Sequence, residues 1–398
     1  MKSKGKVLYL SYDGLTDPLG QSQIMPYIIG LSEKGYDFHI ISFEKQQSFE
    51  ALKSSVQANF AGRNITWIPL KYTKRPPIVS TVFDLWKMNR EGKKILQKGI
   101  DIIHCRSYLP MLVAQRIRKK EKVIFDMRGL WADERVEGGL WPQNQWIYRS
   151  IYRFFIKQEK VFIQEATAIV SLTKNGIQAI EERYKSKINS PTWIIPCCVD
   201  TNRFSPNQSG INLPSKLNLP PESNVLIHVE SVGTWYRLDL ELAFFNELPP
   251  TWYFLILTTD QEKANAVVQQ TVSAKDRIIV RSASYHDVPD YLLQANASII
   301  WIEPSFSKRA SSPVKLGESL AMGLPVIVNA GIGDMDDLIQ KNSLGIIINE
   351  KNDIPKAAQD FLRMNCNPTS IRNIAMAELS LEKGLSTYED IYQFCIQS

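Results

Sequence analysis

The chain has 398 residues, 44% of them hydrophobic and 22% charged, with 47 Lys+Arg against 41 Asp+Glu. It is too long for one ordinary core and suits two domains, and its globular composition excludes a disordered or fibrous protein. The charge is uneven: residues 1–200 hold 31 Lys+Arg and 19 Asp+Glu while residues 201–398 hold 16 and 22, so the first half is drawn to an anionic partner, a membrane surface or nucleic acid.

The start, MKSKGKVLYLSYDG, has three lysines before a short apolar run and no small-residue cleavage site, unlike a secretion signal. No apolar stretch approaches the roughly 18 residues of a membrane-spanning helix, and a cytoplasmic protein is expected. Cys105, Cys197, Cys198, Cys366 and Cys395 form no C-x-x-C pair, and His39, His104, His228 and His286 are the four histidines, so neither a zinc site nor a disulfide framework is indicated. Cys197 and Cys198 read as small buried residues.

In chain order, Lys6 to Tyr12 reads as a buried strand and Ser22 to Gly35 as a helix, which makes SYDGLTDPLGQSQ (11–23) a strand-to-helix loop. Open α/β sheets place ligands at such loops. Apolar, β-rich runs follow at DFHIISFE (37–44), ITWIPL (65–70), DIIHCRS (101–107), KVIFDMRG (122–129), AIVSLT (168–173) and TWIIPCCVD (192–200), separated by helical patterns. Strands alternating with helices mean βαβ units and a parallel sheet. The segment 201–224 is rich in Pro, Ser and Asn and reads as a linker. The alternation then restarts at NVLIHVES (224–231), TWYFLILTT (251–259), DRIIVRSA (276–283), ASIIWIEP (297–304), LPVIVNAG (324–331) and LGIIIN (344–349). TYEDIYQFCIQS (387–398) reads as a last helix whose apolar face is Tyr388, Ile391, Tyr392 and Cys395. Two α/β domains would bind a ligand in a cleft at the carboxyl ends of their sheets.

The sharpest segment is ASSPVKLGESLAMGLPVIVNAGIGD (310–334). A helix starting near Pro313 puts Lys315 and Glu318 on one face near its amino end, where free N–H groups, the helix dipole and a lysine favour a phosphate. A carboxylate one turn further in can accept two hydrogen bonds from a ribose. The plain alternative is a solvated Lys–Glu pair.

These motifs, with SYDGLTDPLGQSQIMPYI, DIIH, RGLWADE, IPCCVDTNRF and SVGTWYRLD, give a chain that resembles the family-four glycosyltransferases over nearly its whole length. The resemblance implies the GT-B fold, two Rossmann-like domains facing a central cleft. It divides the chain into an acceptor-binding domain at 1–205, a donor-binding domain at 206–375, and a helix at 376–398 returning to the first domain. It also implies transfer of a sugar from a nucleotide-diphosphate sugar with retention at the anomeric carbon and no required cofactor or metal.

By this resemblance Glu318 matches the second glutamate of an E-x7-E motif and binds the donor ribose; the first falls on Ala310, so that half is missing. More of the phosphate contact then falls to Lys315, or to the pair Lys308 and Arg309. In SVGTWYRLD the glycine is Gly233, Thr234 stands where relatives often have arginine, and Arg237 is the remaining cation. In VIFDMRGLWADE, Arg128 stands where relatives often carry a histidine; it would meet phosphate or hold the acceptor, while Asp126 or Glu134 would act on the acceptor hydroxyl. A buried Asp126–Arg128 pair that supports the loop is the plain alternative. His104 belongs to the cleft rim or to the core. The opening loop would lie against donor phosphates, with Gly14, the Asp17-Pro18 turn and above all Gly20 letting backbone N–H groups approach an anion.

WPQNQWIYRSIYRFFIKQEK (141–160) mixes aromatic and basic residues and, with KMNREGKK (87–94) and RIRKKEK (116–122), suits peripheral contact with the inner face of a membrane and a glycan or lipid-linked acceptor. The alternative is a domain helix with core aromatics. No nucleic-acid reader motif is present. The competing functions are a catalytically degenerate partner subunit, a nucleotide-sugar epimerase and an exported sugar-binding protein, the last disfavoured by the missing signal.

Overall fold

The computed structural model describes residues 3–206, 217–271 and 275–398, so positions 207–216 of the expected linker lie outside the described residues. The chain forms two compact units, Met1–Pro196 with Gly384–Ser398, and Cys197–Lys383. Residues 197–205, which the sequence reading gives to the first domain, pack in the second unit: the Val199 N–H donates to the Leu379 carbonyl and the Leu381 N–H to the Val199 carbonyl, each at 2.8 Å.

The first unit holds β1 (Gly5–Ser11), β2 (Tyr36–Glu44), β3 (Ile65–Lys71), β4 (Ile102–Arg106), β5 (Lys122–Asp126), β6 (Ala168–Ser171) and β7 (Thr192–Ile194) in one sheet of order β3-β2-β1-β4-β5-β6-β7. Its pairings are all parallel. Helices cover both faces of such a sheet, which is why the strands read as continuous apolar runs. The expected helix from Ser22 is two helices, Pro18–Gln23 and Met25–Glu33, separated at Ile24. The first begins inside the expected loop because Pro18 pre-sets the helical φ where no amide partner is needed. The last helix, Leu381–Gln397, buries Tyr388, Ile391, Tyr392 and Cys395 in this unit, the face that the sequence marks.

The second unit holds β8 (Asn224–Val229), β9 (Trp252–Leu257), β10 (Ile278–Arg281), β11 (Ala297–Ile300), β12 (Val326–Asn329) and β13 (Gly345–Ile348), ordered β10-β9-β8-β11-β12-β13 and again parallel. Period-two alternation feeds two cores: Val225, Ile227 and Val229 pack on one face with Leu316 and Leu320, and Leu226 on the other with Phe244 and Phe254. Each unit is Rossmann-like, and its strand order reverses beside its first strand, between β1 and β4 and between β8 and β11. Ligands of open α/β sheets bind at the carboxyl ends of those strands.

Candidate active site

In the second unit the loops that leave β8 and β11 are tied together. The Arg237 N–H donates to the Trp301 carbonyl at 3.0 Å, and the Glu303 N–H to the Trp235 carbonyl at 2.7 Å. The β8 loop turns at Gly233 (φ +105°) and Thr234 (φ +48°); left-handed backbone is cheap for the glycine and strained for the threonine. Behind the loop, His228 Nδ1 and Glu241 Oε2 form an ion pair at 2.7 Å with neither side chain exposed, and Glu241 Oε1 accepts from the Trp301 N–H at 2.9 Å.

The helix Val314–Ala321 starts after Pro313 and stops at Met322, with Gly323 in left-handed backbone. Lys315 Nζ donates to Glu318 Oε2 at 2.7 Å. This is not a solvated pair, since Glu318 is 1% exposed. Its other oxygen, Oε1, is buried and meets no hydrogen-bond partner among the described residues. Burial raises the Glu318 pKa above the ordinary carboxylate range, with Lys315 and then Arg203 working against the rise. Arg203 lies 4.0 Å over the Tyr285 ring and donates to the Tyr285 carbonyl at 2.7 Å, while Lys315 Nζ is 5.3 Å from the same ring. A buried acceptor without a donor is a large penalty unless a ligand fills it.

Of the other expected binding residues, Lys308 is buried with Nζ 3.8 Å from the Trp235 ring centroid, and Arg309 is half-buried 5.8 Å from the Phe306 ring. Ala310 is fully buried, so the missing carboxylate leaves no opening at its own position. Arg237 is held by two carboxylates, donating to both oxygens of Asp239 at 2.9 and 2.8 Å and to Glu303 at 2.6 Å. The sequence reading missed Glu230, the first residue past β8. Burial pushes its carboxyl up to about 7 against the charges of Lys315 and His228; Tyr236 hydrogen-bonds it, and Glu318 adds repulsion. A carboxylate directly after an apolar parallel strand, as in NVLIHVES, was the available signal.

The first unit answers the opening loop differently. Glu44, at the end of β2 and 3% exposed, accepts from the Leu15 N–H at 2.8 Å, the Thr16 N–H at 3.0 Å, the Thr16 hydroxyl at 2.5 Å and the Ser42 hydroxyl at 2.6 Å. The anion that these two loop amides meet is therefore the chain's own. Gly20 packs on the same loop: a Cβ there would lie 2.1 Å from the Gly14 carbonyl oxygen.

At the ends of β4 and β5, Asp126 is 1% exposed; its Oδ2 accepts from the Tyr388 hydroxyl at 2.9 Å and lies 3.4 Å from His104 Nε2, while His104 Nδ1 is 2.8 Å from the Tyr392 hydroxyl. Burial opposes ionisation of Asp126, but Arg128, His104 and Arg106 together hold its carboxyl below the usual range. Arg128 sits 3.9 Å away at φ +53°, a left-handed conformation at a strand end. His104 is thus a core residue. Glu134 is half-buried in the first turn of the helix Trp131–Glu137.

Aromatics of the basic stretch divide. Phe155 is buried against Trp131 and Trp141, whereas Trp146 (75% exposed), Ile147 and Phe154 stand in solvent beside exposed Arg149, Arg153 and Lys157. The helix Val79–Leu96 exposes a second group, Val79, Val82, Phe83 and Trp86, with Arg90 5.3 Å from the Trp86 ring. Among the described residues no helix is long and apolar enough to cross a membrane, and no group of three or more His, Cys, Asp or Glu could hold a metal ion.

Comparison with known proteins adds the following. Residues 27–203 match the model of Glycosyltransferase Family 4. No curated protein sequence matches the chain significantly. Among solved structures, HepE from Anabaena in complex with UDP and glucose is similar at 12% identity and TM-score 0.71, covering 98% of this chain and 99% of that one. A glycosyltransferase from Rickettsia africae is similar at 15% identity and TM-score 0.70, covering 99% of each chain. WaaG, a glycosyltransferase involved in lipopolysaccharide biosynthesis, is similar at 14% identity and TM-score 0.64, over 96% and 95% of the two chains.

Proposed function

We propose, from the match of residues 27–203 to the family-4 model and the GT-B-like fold of its units, that the chain is a family-4 glycosyltransferase and a retaining enzyme using a nucleotide-diphosphate sugar. The observation that carries the donor assignment is Glu318: a fully buried carboxylate with one oxygen on Lys315 and the other waiting for a donor. Two ribose hydroxyls would satisfy it. Lys315, Lys308 and Arg309, with the amino end of the helix Val314–Ala321, would meet the diphosphate; Arg237 would join them by exchanging one of its carboxylates. Uridine nucleotides are the first probes, since HepE is described with UDP-glucose.

In the reaction the bond from the anomeric carbon to the diphosphate breaks and one to the acceptor oxygen forms, with the acceptor proton lost. Negative charge grows on the departing diphosphate, and fixed cations and helix dipoles stabilise it without a required metal. In the first unit Arg128 would face an anionic group, Asp126 would hold Arg128 in place, and Glu134 is the carboxylate left to act on an acceptor hydroxyl. The Gly233 turn shapes the donor loop and Gly20 the acceptor side.

The acceptor is a glycan or a lipid-linked saccharide reached from the cytoplasmic face. Support comes from two exposed aromatic groups edged by cations, Trp86 with Phe83 and Trp146 with Phe154, since such surfaces bind anionic interfaces. Turnover tests the reading. With nucleotide sugars and lipid-linked acceptors, release of nucleoside diphosphate and a product of unchanged anomeric configuration are expected, both lost in Glu318→Ala. Nucleotide binding without turnover would favour the degenerate partner subunit; an inverted product would sink retention.

A further inference from the structure

We propose that Glu230 is a second donor-site carboxyl, accepting hydrogen bonds from hydroxyls of the transferred sugar. The inference rests on the donor-site reading above.

Three observations lead to it. Glu230 is the first residue after β8, at the carboxyl end of the strand where the sheet order reverses, the place where this architecture puts a ligand. It is half-buried, so a ligand can reach it, and it shares the surroundings of Lys315 and Glu318. The ammonium of Lys315 is already bonded to Glu318, which leaves Tyr236 as the hydrogen-bond donor to Glu230. A carboxylate can accept about four hydrogen bonds, so capacity remains.

Burial works against its charge and Glu318 repels it, while Lys315, His228 and the Tyr236 hydroxyl favour it. A carboxyl set among such opposed influences at the end of a strand is a candidate for function. The ligand class follows from the charge. A second anion would weaken the hold on a diphosphate, whereas sugar hydroxyls are neutral donors that a carboxylate binds well. Glu230 therefore discriminates a sugar nucleotide from the bare nucleotide, while Glu318 serves both. Ala310, fully buried, supplies no such group.

The test is titration calorimetry on the full chain with UDP and UDP-glucose, GDP and GDP-mannose, using the parent protein, Glu230→Gln and Glu230→Ala. For the pair that the parent binds, the substitutions should leave nucleoside diphosphate affinity within about twofold and lower sugar-nucleotide affinity about tenfold or more, the loss expected of a hydrogen-bonded charge. A parallel loss for both ligands would make Glu230 a part of the loop scaffold, and no loss for either would remove it from the site; each overturns the proposal. If the parent binds none of the four, the donor-site reading fails first, without reference to any variant, and this inference falls with it. Thermal midpoints no lower than the parent's show that the variants are folded.

Discussion

The two units solve one problem in opposite ways. In each, the loop that follows the central first strand is met by a carboxylate at the end of the next strand, Glu44 after β1 and β2, Asp260 after β8 and β9. Glu44 is buried and takes four donors, two of them loop amides, so the first loop is closed by an internal anion. Asp260 is about a third exposed and takes the Val232 N–H at 3.2 Å. The second unit instead keeps a buried oxygen on Glu318 without a donor and a carboxyl on Glu230 against the preference of its surroundings. The same architecture thus closes one loop with its own anion and leaves the other with acceptors to spare, which is the contrast that the donor-site proposal rests on.

Breaking the closed loop should have the largest effect. Glu44→Ala leaves two buried amides and two hydroxyls without their acceptor and should lower stability by about 3–5 kcal/mol in denaturant melts, with Glu44→Gln losing less. If that contrast is right, Glu44→Gln keeps its response to nucleotide. Next, Glu241→Ala strips His228 of its partner and the Trp301 N–H of its acceptor, for an expected loss of about 3 kcal/mol.

A pH series sharpens the comparison. Glu230 ionises at about 7 when folded and at its ordinary 4.5 when unfolded. Between those values the unfolded chain has released a proton that the folded chain keeps, so this group lowers stability as pH rises through the window and no further above it. Glu230→Gln should therefore be more stable than the parent above pH 7 and indistinguishable from it below pH 4.5; a constant difference at all pH values would refute the assignment. Asp260→Asn should be the mildest change, under about 1 kcal/mol, because its single amide contact is reachable by water.

Much of the fold could be read in the sequence because parallel strands buried on both faces announce themselves as apolar runs, DFHIISFE and KVIFDMRG among them. Glu318 and Lys315 were legible because a proline start and a glycine stop bracket their helix. The fate of the opening loop was not. Nothing in SYDGLTDPLGQSQ says that Glu44, some 30 residues on, takes the amides of Leu15 and Thr16, since parallel pairing of β1 with β2 is what brings them together. For the same reason Asp126 read as a strand-end acid, while Tyr388 and His104, which enclose it, come from distant elements. Glu230 was passed over although it directly follows an apolar strand, because the groups around it, Tyr236, Lys315 and Glu318, come from later elements.

The most direct measurement is the thermal midpoint of the full chain with a panel of nucleoside diphosphates, with and without Mg²⁺, for the parent and for Glu318→Ala. A ligand at a hundred times its dissociation constant stabilises the folded state by about 2.7 kcal/mol. A base-selective rise that needs no Mg²⁺ and vanishes in Glu318→Ala is expected. No rise with any nucleotide, or a rise that survives the substitution, would contradict the assignment of the second unit as the donor site.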